Sequence, residues 1–165
     1  MIKLGEPFQL FDLEECQYYI DQAEKKGLES GRTYGNDPVA RTNYVAWVDL
    51  KDNHYGYLWN LGKEVGATWF EYPVQISRYG PNEFYNWHKD TKLNTRRSSI
   101  RHRTLTCTLR SAPDAIFETI DQVYNLTAGQ AIIFDSNMFH HASAPTSGFR
   151  WALTVWFMAP NSTNI

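Results

Sequence analysis

The spacing of apolar positions changes character near residue 70. Before it, Leu13, Cys16, Ile20 and Ala23 recur at helical spacing behind Asp12, a residue suited to an N-cap, and the pattern stops near Gly27. A second helical series, Leu58, Leu61 and Val65, runs from Tyr55 to around Gly66. Between them, Ser30–Pro38 is rich in Gly, Asn and Pro and reads as a loop, and Asn43–Asp49 reads as a short strand. Beyond residue 70 the runs become strand-like: Tyr72–Tyr79, Phe84–His88, Arg103–Leu109, Ala115–Glu118, Gln122–Tyr124, Gln130–Phe134, Met138–Ala142 and Phe149–Met158. Turn signals such as Gly80-Pro81-Asn82 and Ala112-Pro113-Asp114 separate several of them. Many short strands after helices predict an α+β domain with a β-sandwich or jelly roll as its body. The expected division is one domain over 1–165, with 1–70 as mainly helical support and 71–160 as the body that carries a site.

Composition narrows the class. The chain has 165 residues, 42% of them hydrophobic, with six Trp, ten Tyr and nine Phe, which suits one packed core and excludes a disordered chain. The longest near-apolar run, Trp151–Ala159, contains Thr154 and is too short to cross a bilayer. The N-terminus lacks the pattern of a secretory signal, and two cysteines imply no disulfide framework. A soluble, cytoplasmic protein without a membrane partner is expected. The net charge of −2 gives no nucleic-acid footprint. One stretch departs from that balance: six of the sixteen basic residues fall within Lys89–Arg103, which reads as an exposed basic rim.

Chemistry concentrates in a few residues. His88 and Asp90 stand two apart at the end of a predicted strand, so both can project to one face. An imidazole and a carboxylate on one face, with a third ligand from a distant strand, would form a facial triad that leaves three positions of an octahedral metal open. His140 and His141 are the candidates for that third ligand, and the absence of nearby thiolates favours non-haem Fe(II) over structural zinc. Ten residues beyond His140, Arg150 opens an aromatic and apolar strand. A buried guanidinium needs an anion, either a core acid such as Asp135 or Glu118 or a carboxylate-bearing cosubstrate. His54 reads as a loop or helix-start histidine and His102 as part of the basic rim. Trp47, Trp59, Trp69, Trp151 and Cys107 read as packing residues.

The segment Tyr79-Gly80-Pro81-Asn82-Glu83-Phe84-Tyr85-Asn86-Trp87-His88-Lys89-Asp90 resembles the Tyr-Gly…Tyr-x-x-His-x-Asp signature of the iron(II)- and 2-oxoglutarate-dependent oxygenases, in their prolyl-4-hydroxylase-like branch. Phe134-Asp135-Ser136…His140 is similar to that branch's Phe-Pro-Ser…His, and Thr146-Ser147-Gly148-Phe149-Arg150-Trp151 through Trp156-Phe157 to its ending. Two places depart from the pattern: Pro113-Asp114-Ala115 replaces a Gly-rich turn, and Ser143-Ala144-Pro145 follows the distal histidines. Counting back from Arg150 selects His140, whereas alignment on Pro145 selects His141; the gapless frame favours His140.

The resemblance implies a double-stranded β-helix with N-terminal helices packed on one sheet. It implies Fe(II) on His88, Asp90 and His140, and 2-oxoglutarate on Arg150 and Tyr79, with a hydroxyl from Thr106 or Thr108. It further implies O2 as oxidant, ascorbate as an accessory reductant, and Tyr85 and Trp156 near the substrate, where Arg41, at the end of the loop Ser30–Asn43, is also expected. Implied too is hydroxylation of a C–H bond, foremost on a peptidyl residue such as proline, with succinate and CO2 as coproducts. A free amino acid or other small molecule is the alternative substrate, and a non-catalytic jelly-roll binder the alternative class. The segments Ser30–Asn43 and Lys89–Arg103 are expected to close over the site.

Overall fold

The computed structural model describes residues 2–31, 41–94 and 98–161. The expected closing segment Ser30–Asn43 lies largely outside these residues.

The chain begins with β1 (Phe8–Gln9) and α1 (Leu13–Lys26), followed by β2 (Glu29–Ser30), β3 (Tyr44–Val48) and α2 (Asp52–Glu64). Next come β4 (Trp69–Phe70), β5 (Val74–Tyr79), β6 (Tyr85–His88) and β7 (Leu93–Asn94). The long β8 (Ser99–Arg110) leads to β9 (Phe117–Thr119) and β10 (Val123–Tyr124). β11 (Gln130–Asp135), β12 (His140–Ala142) and β13 (Arg150–Pro160) complete the order.

Helix α1 forms where local chemistry dictates. Asp12 accepts from Glu15 N–H at 2.7 Å, and the Glu15 carboxylate accepts from Asp12 N–H at 3.0 Å, a reciprocal capping box. Gly27 ends the helix at φ 90°, a conformation that favours glycine, with its N–H bonded to Ala23 O. The buried stripe is Cys16, Tyr19, Ile20 and Ala23; Leu13, expected on that face, is 73% exposed at the first helical position. Helix α2 buries His54, Leu58, Leu61 and Gly62. Gly62 admits the Phe157 ring so closely that an added Cβ would lie 3.0 Å from it.

Two antiparallel sheets make the body. The larger runs β1-β11-β8-β13-β5-β3-β2, with β4 on β13 and β7 on β8; the smaller runs β10-β9-β12-β6. The architecture is the expected jelly roll with helices on one sheet. Alternation divides the larger sheet into two unlike faces. Val74, Ile76, Leu105, Cys107, Leu109, Leu153, Val155 and Phe157 join the helices in the main core. Gln75, Ser77, Tyr79, Thr104, Thr106, Arg150, Thr154 and Trp156 turn to the other face and line a cavity shared with the smaller sheet.

Of the five two-residue strands among the described residues, β1, β2, β4 and β7 have no counterpart in the sequence pattern, since two residues display no period, while β10 falls within the expected Gln122–Tyr124 run beside its turn signals. The basic stretch also differs from its expected form. Arg101, His102 and Arg103 belong to β8: Arg101 is paired with Glu71 at 3.0 Å, and Arg103 with Asp135 at 3.5 Å. These side chains are bound to the body and do not form a mobile rim.

Candidate metal and carboxylate site

The cavity between the sheets encloses about 450 Å³ counted to its open mouth. β6 and β12 pair antiparallel with His88 opposite His140. β6 ends at His88, and Asp90 is fixed just beyond it by its own N–H, which donates to Ser136 O at 2.9 Å. One ligand atom from each of His88, Asp90 and His140 lies within 4.8 Å of the others. Asp90 Oδ1 is 3.3 Å from His88 Nε2 and 3.2 Å from His140 Nε2. Each imidazole donates its Nδ1–H to the carbonyl two residues earlier, Asn86 O at 2.6 Å and Met138 O at 2.9 Å. That bond turns Nε2 inward, where it gives a proton to Asp90 or, once deprotonated, can ligate a cation. Tyr85 stacks flat on His88, with ring centroids 3.5 Å apart, and Phe134 meets His140 edge-on at 4.8 Å.

Electrostatics follow from this crowding. Burial pushes the Asp90 carboxyl up, but the charge on His140 and hydrogen bonds from both imidazoles outweigh it and hold the group well below its ordinary value. Burial depresses His88 below the usual histidine value despite its bond to Asp90. For His140 burial acts downward too, yet the Asp90 charge prevails and raises it. The donor set is therefore one anionic oxygen and two imidazole nitrogens, without thiolate, which fits a divalent iron site with open positions.

Arg150 lines the same cavity, across β13 from Tyr79, its register partner on β5; its guanidinium carbon lies 5.5 Å from the Tyr79 ring centre. It is 4% exposed, and burial lowers its pKa. The two acids considered as its partners are engaged elsewhere: Asp135 with Arg103, and Glu118 with His141 at 2.8 Å. Among the described residues no carboxylate forms an ion pair with Arg150, so the cavity holds an uncompensated guanidinium. Thr106 lines the cavity, whereas Thr108, on the same strand face, does not. His141 is turned away from Asp90, to Glu118 and to the Trp87 ring at 4.2 Å.

Of the residues placed near a substrate, Tyr85 and Trp156 line the cavity and Arg41 does not. Arg41 stacks 4.0 Å over Tyr85 on the face opposite His88, and donates from Nε to Asn43 Oδ1 at 2.7 Å. Trp156 does more than line the wall: its indole N–H donates to Asp90 Oδ2 at 3.1 Å. Thr104, Ser136, Gln75, Ser77 and Thr154 were not singled out from the sequence. The signal for most of them is Gln75-x-Ser77-x-Tyr79 and Thr104-x-Thr106, polar residues alternating with apolar ones in strands whose two faces are both buried. His102 sits on β8 near Gly66, and His54 is buried between the helices, away from this cavity.

The family model described as the 2OG-Fe(II) oxygenase superfamily matches residues 74–158, the stretch that holds the triad and Arg150. An inferred prolyl 4-hydroxylase of Acanthamoeba polyphaga mimivirus is 25% identical over 179 residues, covering 93% of this chain and 74% of that protein. Among solved structures, the viral collagen prolyl hydroxylase of Paramecium Bursaria Chlorella virus-1, as its 2OG complex, superposes with a TM-score of 0.72 at 20% identity, covering 95% of this chain and 97% of that one. A Trichoplax adhaerens prolyl hydroxylase, in complex with a hypoxia inducible factor peptide fragment, superposes with a TM-score of 0.61 at 16% identity, covering 88% and 75%. These structures share the fold, and the match across 74–158 carries the kinship: the chain belongs to the 2OG-Fe(II) oxygenase superfamily.

Proposed function

We propose that the chain hydroxylates a C–H bond of a peptidyl residue, foremost proline, with Fe(II), 2-oxoglutarate and O2. In this reading His88, Asp90 and His140 hold the iron, and Arg150, Tyr79 and Thr106 hold the distal carboxylate of 2-oxoglutarate. One observation carries it: an uncompensated, buried guanidinium lines the same cavity as three converging metal-type ligands. When bound, iron and 2-oxoglutarate supply oxidative decarboxylation to succinate and CO2 and the oxidising power for C–H cleavage.

The chain's own groups do the rest. Arg150 grips a carboxylate through parallel hydrogen bonds, offsetting the cost of its own burial. Phe117, Phe134 and Ala152 line the cavity with apolar surface that keeps water off the reacting centre. The peptide class is supported by the prolyl hydroxylases that share the fold and by Arg41. Arg41 is 7% exposed, and its Nη2 has no hydrogen-bond partner among the described residues. That donor is enclosed, so a backbone carbonyl of an extended peptide would satisfy it only after the side chain opens toward the substrate. Ascorbate is part of the proposal as an accessory reductant.

The test is succinate formation with Fe(II), 2-oxoglutarate and ascorbate, together with mass spectrometry of proline-containing peptides. A peptide-dependent rise in succinate and a product heavier by one oxygen are expected. A protein that makes no succinate and leaves every peptide unchanged overturns the reading. Arg41→Ala should raise the peptide KM while leaving peptide-free 2-oxoglutarate consumption unaltered.

A further inference from the structure

The two oxygens of Asp90 have unlike surroundings. Oδ1 faces the two imidazoles, at 3.3 and 3.2 Å. Oδ2 accepts from Thr104 Oγ1 at 2.9 Å and from Trp156 Nε1 at 3.1 Å. An indole N–H can only donate. The Thr104 hydroxyl lies 2.8 Å from Ser136 Oγ, which can donate to it and so leave the threonine proton for the carboxylate. Trp156 is itself fenced in: the Arg101 guanidinium lies 3.9 Å over its ring, and Glu71 clamps that guanidinium with two contacts of 3.0 and 3.2 Å. A fork of this kind resists rotation of the arginine, and the stacked cation in turn holds the indole plane.

We propose that Trp156 and Thr104 are positioning residues that occupy Oδ2 and restrict Asp90 to ligation through Oδ1 alone. The inference rests on the metal reading above. Its consequence is a matter of counting. A six-coordinate metal held by two imidazoles and one carboxylate oxygen keeps three positions, enough for a chelating 2-oxo acid and one further molecule. A carboxylate binding through both oxygens would take one of those three. Trp156, placed near the substrate by the family resemblance, is thereby assigned a second duty directed at the metal ligand.

The test compares full-length Trp156→Phe, which keeps a ring beneath Arg101 but drops the N–H, with Thr104→Val and Thr104→Ser. Co(II) serves as the probe, in the absence of substrate and turnover. Its visible absorption is recorded, and 2-oxoglutarate affinity for the Co(II)-loaded protein is measured by calorimetry. Trp156→Phe and Thr104→Val should alter the Co(II) spectrum and weaken 2-oxoglutarate binding about tenfold. Thr104→Ser, which restores the hydroxyl, should match the parent in both. Spectra and affinities unchanged in both Thr104→Val and Trp156→Phe overturn the proposal, and so does a Thr104→Ser protein that departs as far as Thr104→Val. Should Trp156→Phe fail to fold, the two Thr104 variants decide alone. A parent protein that binds no Co(II) overturns the metal reading itself, which is a different result from identical binding by parent and variants.

Discussion

Two of the histidine–carboxylate clusters among the described residues are built on opposite principles. In the first, between the helices, His54 Nδ1 meets the Tyr19 hydroxyl at 2.6 Å and His54 Nε2 meets Glu15 Oε2 at 2.5 Å. The Tyr19 oxygen also accepts from Lys51 N–H at 3.1 Å, and Phe11 packs on the imidazole at 4.8 Å. Both ring nitrogens are used, each on a different partner, and together they tie α1 to α2. In the second, His88 and His140 satisfy only Nδ1 on their own backbone and direct both Nε2 atoms at one oxygen of Asp90. A saturated imidazole is structural, whereas imidazoles that converge with their outer nitrogens already fixed are ready for a cation. Burial does not distinguish the two clusters: His54 is 7% exposed and His140 4%.

The contrast is broken most directly by deleting one histidine from each cluster. His88→Ala should abolish Fe(II)-dependent succinate formation while leaving the metal-free melting temperature close to the parent's. His54→Ala should do the reverse. It removes the His54 partner of the Tyr19 hydroxyl and of Glu15 Oε2, opens a gap beside Phe11 and costs about 2–3 kcal/mol in chemical denaturation, while the protein that remains folded stays active. Equal loss of turnover in both variants would erase the distinction.

Arg150→Ala comes next in size. Removing the cation from a buried carboxylate site should raise the 2-oxoglutarate KM by about two orders of magnitude, with Arg150→Lys intermediate because a lysine makes no parallel pair. An unchanged KM would detach Arg150 from the cosubstrate. On the helical side, Asp12→Ala removes half of the capping box and should cost about 1 kcal/mol, read as a lower denaturation midpoint with unaltered turnover.

The smallest effect concerns a thiol. Burial, reinforced by the charges of Asp12 and Glu15, pushes Cys16 up to about 11. At pH 8 the folded protein then carries almost no thiolate there, since that form appears only as pH approaches the raised value. A disulfide reagent at pH 8 should leave Cys16 unmodified until denaturant is added; rapid labelling of the native protein would contradict the packing of α1.

How much of this was legible beforehand depended on the range of the interactions. Asp12, Glu15 and Gly27 lie within one helix and announce α1 locally. His88, Asp90 and Arg150 could be singled out because residue type and spacing survive without coordinates. Spacing back from Arg150 favours His140 over His141, while alignment on Pro145 keeps His141 in play. The structure separates them by alternation: one faces Asp90 and the other faces Glu118. The role of His54 was hidden because its partners lie 35 and 39 residues away. Trp156 was hidden for a related reason, since its N–H reaches a residue 66 positions earlier. Arg101 misled in the other direction: a run of like charges suggests a solvated loop, but a strand through the run turned one of its arginines inward, onto Trp156 and Glu71.

β13 acts as a measuring rod. Arg150, Ala152, Thr154 and Trp156 all face the cavity from this one strand, with the guanidinium at one end and the indole that touches Asp90 at the other. Strand pitch, about 3.3 Å per residue, therefore sets the interval between them. A side-chain change can soften either end, but only an insertion or deletion in the strand alters the interval, and an odd one flips every later side chain to the helix side. In the proposed reading, where Arg150 grips the far carboxylate and the metal sits by Asp90, this backbone helps set the span between the two, so selection by diacid length would be the trait hardest to shift by point substitution.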